Sequence, residues 1–171
     1  LKEKRKEAEN VSRSLGVKKT FFCNFIAAEL DKVPQNDINN TLRKIIQECN
    51  PEIEYIPHKG DLHKDHKIIF DACMVVLRPN RNVNIEKIYC YETLSESEWD
   101  NPYTDKFIPN FYSDITEFLN KKIELFSMYK TEVKEFPHPR SAEGIRHKAI
   151  QRGNEVCLKA AEAFMLIREI K

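Results

Sequence analysis

The stretch EIEYIPHKGDLHKDHKIIFDACMVVL, residues 52–77, decides the fold. EIEYI alternates over strand length and runs into Pro57, whereas HKIIFDACMVVL is helical in length and apolar nearly all round, the pattern of a buried helix from about residue 64 to 77. Pro79 ends it. Strand, polar loop and helix in this order make half of a βαβ unit. The loop 57–66 then falls at the carboxyl end of a strand, where open α/β sheets bind ligands.

Working outward, Ile38, Leu42, Ile45 and Ile46 recur at helical spacing and predict an amphipathic helix over 36–49, stopped by Pro51. KTFFCNF, residues 19–25, has the aromatic content of a strand. The opening LKEKRKEAENVSRSLGV predicts a helix with Ala8, Val11 and Leu15 on one face and Gly16 as its carboxyl-terminal cap. Downstream, IEKIYCY (85–91) reads as a strand and FIPNFYSDI as a short apolar segment broken by Pro109. Helices are predicted over 116–129 and over 145–170. Strands alternating with helices of ten or more residues give an α/β fold with a mainly parallel sheet and helices on its faces. At 171 residues the chain is expected to form one domain, 1–171.

Composition narrows the function. Twenty-eight basic and 27 acidic residues leave a net charge of +1, which draws the chain neither to nucleic acid nor to a membrane surface. No apolar run reaches the length of an integral membrane segment. Cys23, Cys49, Cys73, Cys90 and Cys157 are scattered without a C-x-x-C pair, which favours a reducing, cytoplasmic setting over a disulfide framework. Only four glycines are present, and none forms the G-x-G-x-x-G of a dinucleotide site.

Three of the five histidines lie in 57–67. His63 and His66 are three apart with Asp65 between them, where a strand hands over to a helix. If Asp61 or His63 caps that helix, both imidazoles sit in its first turn. Neutral imidazole suits Zn²⁺, and a carboxylate can take the second ring N–H and fix its orientation. The pattern supplies one or two ligands but not three. A solvated helix terminus is the bland alternative; His58 then reads as a loop residue, and Asp61 as either a cap or a catalytic group.

The series R-K-E-A, S-L-G-V, N-P-E-I-E-Y-I-P, D-L-H-K-D-H, I-Y-C-Y-E-T, F-I-P-N-F-Y-S-D-I, K-I-E-L-F-S-M-Y and R-G-N-E-V-C-L-K-A-A-E-A-F resembles the LmbE/PIG-L family of zinc-dependent de-N-acetylases across the whole chain. The resemblance implies a Rossmann-like three-layer α/β sandwich that hydrolyses the N-acetyl group of an amino sugar or glycoconjugate. It assigns His66 as a zinc ligand, His63 to the oxyanion or leaving amine, and Asp65 to orienting a histidine. The family's other ligands and its general base come from an A-H-P-D-D motif on the first strand, which these residues do not contain. The expectation is therefore a chain whose first strand lies upstream and which is inactive alone. The alternative is a non-catalytic fragment or pseudoenzyme serving as a binding module.

The resemblance also brings Arg5 forward as a substrate-binding residue, against a plainer reading as a solvated helix residue. Glu92, at the end of the 85–91 strand on the edge of the histidine loop, is a candidate for a substrate or a structural hydrogen bond, and Arg78, a helix-end cation before Pro79, is a further substrate-binding candidate whose role stays open. Arg152 and Glu162 read as structural, Phe164 as core, and His138 and His147 as surface. The loop 94–106 is a candidate for substrate choice, and a homo-oligomer is compatible with the sequence.

Overall fold

The computed structural model describes residues 2–79, 84–100, 103 and 105–171. It contains α1 (Lys2–Leu15), a 3-10 turn (Leu30–Lys32), α2 (Gln35–Cys49), β1 (Ile53–Pro57), α3 (Lys64–Val76), β2 (Lys87–Tyr91), β3 (Phe111–Asp114), α4 (Leu119–Phe126), α5 (Ala142–Asn154) and β4 (Ala161–Glu169). The sheet order is β1-β2-β4-β3. The chain divides into two compact units, Leu1–Phe22 with Tyr112–Glu162, and Cys23–Phe111 with Ala163–Lys171.

The second unit carries the predicted βα half. β1 and β2 run parallel in the register Ile53↔Lys87 to Pro57↔Tyr91, joined by the α3 crossover. Ile56, Ile88 and Cys90 point to one face, where they close a core with Leu77 and Ile85, backed by Phe70, Cys73 and Met74. Leu30, Ile38 and Ala72 form a second cluster between α2, α3 and the 3-10 turn. α3 shares its apolar surface between the two clusters, which is why its sequence is apolar on more than one side.

In the first unit α1 ends as its sequence predicts. Gly16 adopts φ +70°. Its N–H donates to the Arg13 carbonyl at 3.1 Å, and that of Val17 to the Ser12 carbonyl at 2.9 Å, the paired bonds of a Schellman cap. Glu7, buried on α1, accepts from both the backbone N–H and the hydroxyl of Thr131. α5 starts at Ser141, whose hydroxyl accepts from the Gly144 N–H at 2.9 Å.

Several expectations are corrected. Residues 19–25 form no strand among the described residues; aromatic content favours an extended chain, but a ladder needs a partner to satisfy its backbone groups. The helix expected over 145–170 is α5 followed by β4. Gly153 packs against the backbone of the turn, Cys157 takes φ +59°, and from 161 onward the pattern alternates, with Ala161 and Ala163 buried. Because β4 pairs antiparallel with β2, the sheet is mixed, and the expected parallel pairing holds only in part of it, for β1 with β2. The helix expected over 116–129 is the shorter α4.

A methyl group on Gly153 would approach the Leu158 carbonyl oxygen to 2.6 Å and the Ala160 backbone to 2.9 Å, whereas on Gly16 it would meet nothing within 4 Å. Gly153→Ala is expected to cost about 1–3 kcal/mol by overpacking, and Gly16→Ala about 1 kcal/mol through the left-handed backbone alone. Urea unfolding of the two variants checks this order.

Candidate functional site

The carboxyl ends of β1 and β2 lie abreast at Pro57 and Tyr91, and the loop after β1 folds back on itself before α3 begins. Its turn is tight. The His58 carbonyl accepts from the Asp61 N–H at 3.2 Å, and His58 Nδ1 accepts from the Gly60 N–H at 3.1 Å. A Cβ on Gly60 would sit 1.7 Å from the Asp105 carbonyl oxygen, so the close approach there requires glycine.

Asp61 has no exposed surface. One carboxylate oxygen lies 2.7 Å from His66 Nδ1, and the other accepts from the Ser97 hydroxyl. Ser97 Oγ in turn accepts from the Thr93 N–H at 2.9 Å, and the Glu96 carbonyl accepts from the Leu62 N–H at 3.2 Å, so the segment 93–97 braces the loop. Burial, with Asp61's negative charge second, pushes the Tyr91 hydroxyl up to about 12 and the Cys90 thiol up to about 12. Neither group ionises near neutral pH.

His63 is the N-cap of α3, its Nδ1 accepting from the Asp65 N–H at 3.2 Å. Its ring stacks on that of His66 with centroids 5.3 Å apart and planes 25° from parallel. The side chain of His66 is 27% exposed, which leaves it open to a ligand. Asp65, expected to orient a histidine, binds the scaffold instead. It accepts from the Ala28 N–H at 2.6 Å and the Leu30 N–H at 3.3 Å, and so holds the turn in which Ala28 takes φ +62°. The carboxylate behind a histidine is Asp61, whose role the sequence left open; Ser97, in the repetitive SESE run, carries no signal that could have found it.

His63, His66 and Asp61 are thus brought together, while the Asp65 side chain, in the same turn, is engaged by the Ala28 and Leu30 amides. Glu92, half-buried, follows Tyr91 at the same sheet edge. Arg78 lies past the other end of α3, a helix about 20 Å long, and lines a cavity of about 310 Å³ with Arg168 there. Arg5 belongs to the first unit, its guanidinium 5.2 Å from the centre of the Phe22 ring. Arg152 pairs with Glu155 at 2.8 Å, and Glu162 with Lys122. In the loop 94–106, residues 101, 102 and 104 lie outside the described residues. His66 is suited to be one metal ligand, but among the described residues no group of three His, Cys, Asp or Glu could hold a metal ion.

Residues 1–77 match the PIG-L family, described as GlcNAc-PI de-N-acetylase. No curated protein matches the chain. The conserved protein TT1542 of Thermus thermophilus is similar in structure, with TM-score 0.78 at 18% identity over 99% of this chain and 75% of its own. The N,N'-diacetylchitobiose deacetylase of Pyrococcus horikoshii gives 0.74 at 21% identity over 95% of this chain and 62% of its own. GalB, the 4-carboxy-2-hydroxymuconate hydratase of Pseudomonas putida, gives 0.74 at 17% identity over 99% and 73%. At these identities the likeness shows the fold alone.

The hydrogen bonding sets two expectations. Asp65→Ala frees two backbone donors and the strained Ala28, and is expected to cost about 1–2 kcal/mol, with hydrogen exchange at the Ala28 and Leu30 amides speeding up most. Burial lowers the pKa of His58 below its ordinary value, so the folded state resists protonation more than the unfolded chain does. Its contribution to stability is therefore full above about pH 6.5 and lost as the pH falls toward the lowered value. The thermal midpoint should drop over that acid range, and drop less in His58→Asn.

Proposed function

We propose, from the match of residues 1–77 to the PIG-L (LmbE-like) de-N-acetylase family, that this chain serves in zinc-dependent hydrolysis of the N-acetyl group of an amino sugar or glycoconjugate, releasing acetate and a free amine. The observation that carries the reading is the Asp61 carboxylate 2.7 Å from His66 Nδ1 at the carboxyl end of β1. A carboxylate behind an imidazole is the arrangement that raises ligand basicity and fixes the ring of zinc-binding histidines.

Zn²⁺ bound there would supply a water made acidic and a polarised carbonyl. His66 would be one of its three protein ligands; the other two, expected from an A-H-P-D-D segment, are not among the 171 residues. His63, capping α3 through Nδ1, has Nε2 left to donate toward the oxygen on which charge develops in the tetrahedral intermediate. Glu92, at the same edge, would accept from a sugar hydroxyl. Asp65 acts on the scaffold by holding the 28–30 turn to α3. Arg5 and Arg78 stand as further substrate contacts to be tested by substitution. The amino-sugar class of substrate follows the family description and the chitobiose deacetylase. No helix among the described residues is long and apolar enough to cross a membrane, and five free cysteines suit a cytoplasmic protein.

A second reading, a binding module that keeps the fold without the reaction, draws on the fold's being shared with a hydratase, so that the fold does not by itself fix the deacetylase reaction. Metal analysis and acetate release from N-acetylglucosamine conjugates, made on the protein with whatever sequence precedes Leu1, decide between them. Zinc near one equivalent and activity reduced at least about 100-fold in His66→Ala are expected, with His63→Ala lowering kcat by about 10²–10³. A metal-free, inactive and fully folded protein would favour the binding module.

A further inference from the structure

His63 and His66 use the same ring atom, Nδ1, in opposite senses. At His63, Nδ1 accepts from a backbone N–H, that of Asp65, so it carries no proton and the neutral ring is protonated on Nε2. At His66, Nδ1 faces a carboxylate oxygen at 2.7 Å, and a carboxylate can only accept. His66 is therefore protonated on Nδ1, with its lone pair on Nε2. Free imidazole side chains favour the proton on Nε2, so His66 is held in the minor form. His58 and His138 each accept a backbone N–H at Nδ1, as His63 does, and His66 stands apart from all three.

We infer that Asp61 and Ser97 are positioning residues that lock His66 in its Nδ1–H form, so that the stacked pair presents one Nε2 lone pair, at His66, beside one Nε2–H donor, at His63. The lock has three members in series. The Thr93 N–H donates to Ser97 Oγ, the Ser97 hydroxyl is thereby left to donate to one Asp61 oxygen, and the other oxygen receives the His66 proton. Asp61 has no exposed surface, so water does not compete for its oxygens. The segment 93–97 thus reaches the histidines through Asp61: it sets which ring nitrogen is free to bind a cation. The assignment of tautomers stands on hydrogen bonds alone; its value for zinc rests on the deacetylase reading.

The test is a long-range ¹H–¹⁵N correlation spectrum of the ¹⁵N-labelled protein, without metal, at a pH where its imidazoles are neutral, with the His66 signals assigned by their loss in His66→Gln. His66 is expected in the Nδ1–H pattern, and His63, His58 and His138 in the Nε2–H pattern. In Asp61→Asn the amide oxygen stays with the Ser97 hydroxyl and the amide NH₂ turns to the ring, so His66 should switch to Nε2–H while the other three keep their pattern, which also reports an intact fold. Ser97→Ala should leave His66 a mixture of both forms. A wild-type His66 protonated on Nε2, or no change in Asp61→Asn, overturns the inference; an unchanged Ser97→Ala removes Ser97 from it. Zinc titrated into the same samples separates the two ideas. If zinc binds, Asp61→Asn should weaken it about 10–100-fold; if no zinc binds to the protein prepared with whatever sequence precedes Leu1 while the tautomers are as stated, the deacetylase reading fails and the lock stands.

Discussion

A carboxylate with no exposed surface is costly unless each of its oxygens is matched by a donor, and around Asp61 the chain is arranged to supply them. His66 arrives from the first turn of α3, Ser97 from the segment after β2, and the Asp61 backbone is fixed by the turn at His58. The two donors and the carboxylate itself belong to three separate pieces of chain, so the carboxylate ties the exit of β1, the entry of α3 and the exit of β2 into one edge. The parallel pairing of β1 with β2 makes this meeting geometrically available, because Pro57 and Tyr91 end their strands side by side. Removing any one donor leaves buried charge unmatched, which is the reason the loop 57–66 holds a defined shape despite its polar sequence.

The same constraint explains why Asp65 turns away from the histidines. In the first turn of a helix a side chain can reach back to the segment packed beside the helix start, and Asp65 finds two backbone donors at Ala28 and Leu30. Ala28, left-handed at φ +62°, is in a conformation that persists only where its surroundings hold it. Two aspartates four positions apart therefore divide the work, Asp61 fixing a ring and Asp65 fixing the scaffold that carries the helix. A sequence motif reports both as acidic residues near histidine and cannot divide them, since the division depends on which donors tertiary structure brings within hydrogen-bonding reach.

What was legible follows from how local each feature is. α1 with Gly16, α2, β1, α3 and β2 are written in periodicity and in caps within a few residues, and each lies where the sequence places it. β4 was hidden because alanines and charged residues over 160–169 satisfy a helical reading as readily as a strand, and only pairing with β2 decides. Residues 19–25 fail in the opposite direction, since strand composition without a partner does not make a strand. At the site, the adjacency of His63 and His66 was legible from their spacing. The bond from Asp61 was within reach of the sequence, five residues away, yet that from Ser97 spans 36 positions and has no local trace.

The cap on α3 bears on how many metal ligands an H-x-x-H pair can give. For His63 to offer a lone pair at Nε2, its proton would have to move to Nδ1 and face the Asp65 N–H, exchanging a hydrogen bond for a donor–donor contact. That loss of a helix cap costs about 0.5–2 kcal/mol, whereas His66 presents its lone pair with the proton already held by Asp61. The two rings, although stacked 5.3 Å apart, are therefore unequal as ligands before any ion arrives. Backbone and carboxylate partners, set by the fold, make one a Lewis base and the other a hydrogen-bond donor.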